Sequence, residues 1–146
     1  MALHLIKLCV GAESIADLED WIAMRLAEKR RLKQTVEQLH TTRMVPRRLD
    51  PAHPDGSLYW VIKGQVSARQ ALTGIRPFTD EQGIGRCHLV LDPTVVPVSP
   101  RPCRPFQGWR YLEEKDAPRD LAGAGARQIA EMPEELRREL TGLGLL

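Results

Sequence analysis

Three cysteines in 146 residues, Cys9, Cys87 and Cys103, are odd in number and too few to staple a small disulfide scaffold. Thiols this sparse ordinarily serve as packing. No run approaches the ~20 consecutive apolar residues that a bilayer-crossing helix requires, which excludes a helical integral membrane protein. Net charge is only +2, so the self-repulsion and poor burial that keep a chain disordered do not apply globally. The spacings that announce a chemistry are missing as well. There is no C-x-x-C, no H-E-x-x-H and no histidine pair at helical spacing for zinc, and no Gly-x-Ser-x-Gly, Walker loop or Rossmann glycine pattern. Gly83-Ile-Gly85 is too short, and no helix follows it. No metal or cofactor is therefore expected, and no internal repeat is present.

What is present suits one domain over residues 1–146, with 42% apolar residues available for a core. Lys7 interrupts the first apolar run and no charged region precedes it, so Leu3 to Val10 reads as a strand and not as an export signal. The chain is accordingly expected to be cytoplasmic. Both alternating faces of this strand are apolar, which calls for cover on two sides. Ser14 with Asp17 is a capping-box variant that opens a helix, and Ile15, Leu18, Ile22 and Leu26 fall on its buried stripe. Strands are expected over 39–45, 57–66, 68–75 and 86–91, with 76–85 as a connection and a last strand within 106–112. Prolines 93, 97, 100, 102 and 105 force the intervening stretch to be extended and edge-like. The Gly/Ala stretch 122–132 is expected to be mobile, and Pro133 to Leu140 has the capping pattern of a short helix. The order predicts an α+β fold: a mostly antiparallel curled sheet or partly open β-barrel, flanked by an N-terminal and a short C-terminal helix.

Net charge conceals an uneven distribution. Residues 40–112 hold ten cations against five anions, and also six of the seven aromatics, with Trp21 alone outside. Nine of the ten cations are arginines, whose planar fork grips phosphate in two places and stacks on rings. Cations along a backbone and flat rings for bases are what a single-stranded nucleic acid needs. The leading expectation is a module that binds RNA or another phosphate-bearing polyanion through Arg43, Arg47, Tyr59, Lys63, Arg69, Arg104, Trp109 and Arg110. Within Leu58-Tyr-Trp-Val-Ile, Trp60 is assigned to the core and Tyr59, on the other face, to the exposed surface. Trp109, between Gly108 and Arg110, suits either a close ligand approach or a tight packed turn.

Two other classes compete. In a small-molecule enzyme, Arg43, Arg104 and Trp109 would hold an anionic substrate while Cys87, Cys103 or His88 did the chemistry. In a protein-interaction scaffold, the exposed rings would form a partner patch.

Several segments together resemble a known family: Leu5-Ile-Lys-Leu-Cys-Val-Gly11, Thr42-Arg-Met-Val-Pro46, Gly56-Ser-Leu-Tyr-Trp-Val-Ile-Lys-Gly64 with Ala68-Arg-Gln70, Arg86-Cys87 with Leu91-Asp92, and Arg104-Pro-Phe-Gln-Gly-Trp-Arg-Tyr-Leu112 with Asp116-Ala-Pro118. They resemble the bacterial family called domain of unknown function 1489, and the match runs to Leu121. The resemblance implies membership and no particular activity. Thr42-Arg43, a following Pro, and a glycine turn into a strand are also similar to compact PUA-like β-barrels, many of which bind RNA or modified bases. That similarity implies a cleft ringed by Arg43, Arg47, Lys63 and Arg104 and floored by Tyr59 or Trp109.

Overall fold

A computed structural model describes residues 2–121. The chain forms β1 (Leu3–Leu8), α1 (Ile15–Arg31), β2 (Gln38–Thr42), β3 (Ser57–Ile62), β4 (Gln65–Thr79), β5 (Gly85–Leu91), β6 (Val96–Pro102), β7 (Trp109–Glu113) and a single 3₁₀ turn, Glu114–Asp116. The strands make one sheet in the order β2-β5-β4-β3-β1-β7, with β6 also paired to β4. Only the β1–β3 pair is parallel among the described residues. The sheet curls without closing, so the α+β expectation holds in its open form. The expected helix at Pro133 to Leu140 and the Gly/Ala stretch lie outside the described residues.

The long β4 organises the curl. Its first half lies between β3 and β6, its second half pairs with β5, and the register shifts between Leu72 and Gly74 where the partner changes. A bulge there bends the strand and raises its twist. Sequence reading divides this region differently, as one strand over 57–66, a second over 68–75 and a connection after Arg76. In the structure Lys63 (φ 47°) and Gly64 (φ 82°) form the two-residue turn of a β3–β4 hairpin, and β4 continues to Thr79. Asparagine or glycine usually supplies the first such position, so Lys63 hides the turn from composition. The strand expected to reach Val45 stops at Thr42, whose Oγ1 donates to the Met44 carbonyl at 3.0 Å and turns the chain out of the sheet. The proline-rich β6 is an edge strand, as its composition requires.

Two apolar clusters confirm that β1 is covered on both sides. Leu5, Leu58, Trp60, Ile62, Leu89 and Leu91 pack under the Ile15, Leu18 and Ile22 stripe of α1. Ile6, Tyr59, Val61, Val66, Val98 and Leu112 form the second cluster on the other face. Helix α1 begins as its sequence dictates, with Ser14 Oγ accepting the Asp17 N–H at 3.1 Å and Asp17 Oδ2 accepting the Glu13 N–H. Three side chains on the first cluster's face satisfy each other or the backbone. Trp60 Nε1 donates to Gln70 Oε1 at 2.9 Å, while Gln70 Nε2 donates to Gln38 Oε1 and to the Asp92 carbonyl.

Candidate functional site

The predicted ligand residues separate into three places. Arg43 and Arg47 follow β2 and enter a cleft of about 610 Å³ that also takes in Met44, Phe78, Thr79 and Arg86. The register explains the convergence. Phe78 of β4 pairs directly with Arg86 of β5, and Thr42 of β2 pairs with Cys87, so Arg43 emerges beside Arg86. Phe78 in turn stacks on His88, with ring centroids 4.1 Å apart and planes 15° apart. His88 Nδ1 meets Thr41 Oγ1 at 3.0 Å. The result is a ring platform at one sheet end, bordered by guanidinium groups.

The cations there differ in availability. Arg86 Nε donates to Asp80 Oδ2 at 2.6 Å, and on the adjoining strand Arg76 makes a two-pronged pair with Glu37. Each carboxyl, Asp80 and Glu37, is held below its usual range chiefly by the arginine hydrogen bond. Arg43 and Arg47 are exposed and have no carboxylate partner among the described residues. Their loop is nevertheless fixed. Trp109 Nε1 donates to the Met44 carbonyl at 2.8 Å, and Tyr111 Oη accepts the Arg48 N–H at 3.0 Å. Trp109 is 9% exposed and belongs to the core under α1, so of its two sequence readings the packed one applies. It acts on the cleft from beneath, through the loop.

Tyr59 corrects the expectation of an exposed ring. It is 4% exposed, because the face opposite Trp60 is covered by the second apolar cluster and not by water. Its edge meets the His4 ring at 5.1 Å, and with Arg69 it lines a separate polar hollow of about 460 Å³. There Arg69 is already spent on Asp120, through Nε at 2.7 Å and Nη2 at 2.6 Å, and on Ser57 Oγ at 3.1 Å. His4 is equally committed. Nδ1 accepts the Ser57 N–H at 2.9 Å, which leaves Nε2 to donate to Glu114 at 2.6 Å. No ring nitrogen remains for general-base work, and the imidazole ties β1 to β3 and to the 3₁₀ turn.

The remaining predicted residues stand apart from both hollows. Lys63, at the β3–β4 turn, lies 3.4 Å from Glu13, and Arg110 on β7 stacks over Phe106 at 4.6 Å. Arg104 is exposed on the connection before β7 and lines neither hollow. The thiols proposed for catalysis do not gather either. Cys87 is fully buried, which pushes its pKa up, and Cys103 is half-buried against the second cluster. Among the described residues no group of His, Cys, Asp or Glu is placed to hold a metal ion. No described helix is long and apolar enough to cross a membrane.

The family model described as "Protein of unknown function (DUF1489)" matches residues 5–146. The chain belongs to this family. No curated protein and no solved structure matches it, so the similarity to PUA-like barrels has no structural neighbour in its support. For this DUF1489 member the sequence does not single out Phe78 or Arg86 as cleft residues, Phe78 because 76–85 reads as a connection and Arg86 because it is one of many scattered arginines. The signal was available: Arg76 and Phe78 alternate in phase with Arg86 and His88 across a short Gly-rich turn.

Proposed function

We propose that this DUF1489 protein binds single-stranded RNA, or another phosphate-bearing polyanion, at the sheet end carrying Arg43, Arg47 and Phe78, as a cytoplasmic module. One observation carries the reading: two arginines without acidic partners share one open cleft with Phe78, whose ring is backed by His88. Free guanidinium groups hold phosphate bidentately, whereas Arg76 and Arg86 must first be released from Glu37 and Asp80. Base stacking on a ring supplies about 1–3 kcal/mol per base without demanding a sequence. The β-sheet holds the platform rigid, and Trp109 and Tyr111 fix the arginine loop before a ligand arrives. That rigidity lowers the ordering cost of binding.

The test is a titration of labelled single- and double-stranded RNA and DNA at several salt concentrations. Single strands release about 0.7 counterion per phosphate neutralised. Replacing both Arg43 and Arg47 by Ala should therefore flatten the slope of log affinity against log salt by about 1.4. Arg76→Ala should flatten it far less, because that charge is neutralised before binding. Salt-insensitive association, or none, would remove the proposal.

A further inference from the structure

The polar hollow lined by Tyr59 has no part in the polyanion cleft, and its groups come from segments far apart in sequence: His4 on β1, Ser57 at the start of β3, Arg69 on β4, and Glu114 and Asp120 after β7. Two hydrogen-bonded pairs make its walls. Arg69 reaches Asp120 through Nε at 2.7 Å and Nη2 at 2.6 Å, and His4 Nε2 donates to Glu114 Oε2 at 2.6 Å. Ser57 joins the walls, since its Oγ accepts from Arg69 Nη1 at 3.1 Å and its N–H donates to His4 Nδ1 at 2.9 Å. One group between them is left over. The Tyr59 residue is 4% exposed, yet its hydroxyl has no hydrogen-bond partner among the described residues and is not sealed, so it opens on the hollow. Polar groups on residues this buried are nearly always paired. The cavity of about 460 Å³ in front of it falls within the size range of small-molecule sites.

We infer that this hollow binds a small uncharged ligand with adjacent hydroxyl groups, a sugar or related polyol, at Tyr59, Arg69 and Glu114. Unused hydrogen-bonding capacity defines the class. Asp120 and Ser57 engage three of the five Arg69 N–H groups, which leaves two, and the Tyr59 hydroxyl adds another donor. Burial pushes the Tyr59 pKa above the usual phenol range, opposed by Arg69 and aided by Asp120 and Glu114, so the proton stays on its oxygen. Acceptors stand beside these donors. Glu114 Oε1 and the Asp55 carboxylate have no partner among the described residues. A phosphate or carboxylate brings acceptors only, and it meets three lining carboxylates, Asp55, Glu114 and Asp120, against two guanidinium groups, Arg69 and Arg119. An ammonium brings donors only and leaves the Arg69 N–H groups unanswered. A hydroxyl donates and accepts at one atom, so neighbouring hydroxyls can answer Arg69, Tyr59 and Glu114 together. The paired walls hold these groups in place before a ligand enters.

Tyrosine occurs only twice, at Tyr59 and Tyr111, so the full chain isotope-labelled at tyrosine Cζ gives two NMR resonances, which Tyr59→Phe assigns. Cζ carries the hydroxyl and reports its hydrogen bonding. The labelled protein is titrated separately with ribose, glucose, inorganic phosphate and methylammonium. The expected result is a saturable shift of the Tyr59 resonance with ribose or glucose, an unmoved Tyr111, and no response to the two ions. Saturation transfer observed on the sugar should show Tyr59→Phe binding it about tenfold more weakly, with a thermal midpoint equal to the parent's because no hydrogen bond within the described residues is lost. Arg43→Ala with Arg47→Ala should leave sugar binding intact. A Tyr59 resonance unmoved by both sugars in the unmodified protein overturns the inference. So does one that moves only in step with Tyr111, one that answers phosphate or methylammonium instead, or unchanged sugar binding in Tyr59→Phe. None of these results bears on the RNA titration, which reads Arg43 and Arg47.

Discussion

Replacing Gly56 by Ala tests the joint where the parallel β1–β3 pair begins. A Cβ at this position lands well inside 3.0 Å of the Leu3 carbonyl oxygen, with Leu3 C at 3.1 Å and the Pro54 oxygen at 3.4 Å. All three atoms are backbone, so no flexible side chain can yield. Gly56 also holds its own carbonyl to the Leu72 N–H at 2.9 Å, and the next N–H, from Ser57, goes to His4. Overpacking of this kind costs about 1–3 kcal/mol and more where backbone must move. Removing a glycine from the unfolded chain returns only about 0.4–1 kcal/mol. With only backbone to yield, the upper cost of about 3 kcal/mol applies and a net loss of about 2 kcal/mol follows, which for a chain of this length lowers Tm by roughly 4–8 °C. Gly85→Ala is the matched control, since its Cβ meets nothing within 4 Å and its φ is ordinary. Thermal unfolding followed by circular dichroism compares them. Equal melting of Gly56→Ala, Gly85→Ala and the parent would refute the claim that β1 and β3 are in backbone contact at Gly56.

Two further outcomes are expected. Trp109→Phe removes the indole donor to Met44, costing about 1 kcal/mol for the hydrogen bond plus the smaller ring's lost packing; urea unfolding reads the first effect. Because the same bond fixes the loop of Arg43 and Arg47, RNA affinity should fall in that variant by more than its stability loss alone explains, checked by titration well below the melting temperature. Alkylation under native conditions followed by mass spectrometry should modify Cys103 first. Cys9 is buried with a pKa pushed up to about 11, and Cys87 is fully buried, so both should react only after unfolding.

Local rules made much of the scaffold legible. Ser14 and Asp17 marked the start of α1, the doubled apolar pattern of β1 demanded two covering layers, and the prolines after Asp92 marked an edge strand. Pairing was not legible, because hydrogen-bond register is a long-range property. The bend that lets β4 serve β3, β6 and β5 rests on a bulge at Leu72 to Gly74; a glycine within a strand marks such a bulge, but nothing local says which partners the strand exchanges there. The same limit applies to the site. Arg43 and Arg47 are near in sequence and share one cleft, whereas Phe78 joins them only through the β2–β5–β4 register. Tyr59 and Trp60 alternate as predicted, yet both are buried, because the sheet is covered on both faces at β3. Arg69 shows how surplus charge misleads: its guanidinium is engaged by Asp120, 51 residues away, and a count of arginines cannot see that pairing.

His40 also makes the fold sensitive to acid in a direction that can be worked out. Its pKa is about 4 in the folded chain and 6.5 in the unfolded one, since burial opposes the charged form and Lys7 and Arg25 repel it. Above about pH 6.5 neither state binds the proton, and the folded chain has its full stability. As pH falls toward 4 the unfolded chain takes up the proton while the folded chain does not, so stability declines with a slope of up to about 1.4 kcal/mol per pH unit. Below the folded value both states are protonated and this contribution stops changing. Since the side chain is only half-buried, the accumulated loss should be about 2–3 kcal/mol. Urea midpoints measured across this window in acetate-free and phosphate-free buffer should show the decline, and His40→Gln, which cannot titrate, should lack that share of it. Identical pH profiles for the two chains would mean that the imidazole is solvated in the folded state and that Lys7 and Arg25 do not bear on it.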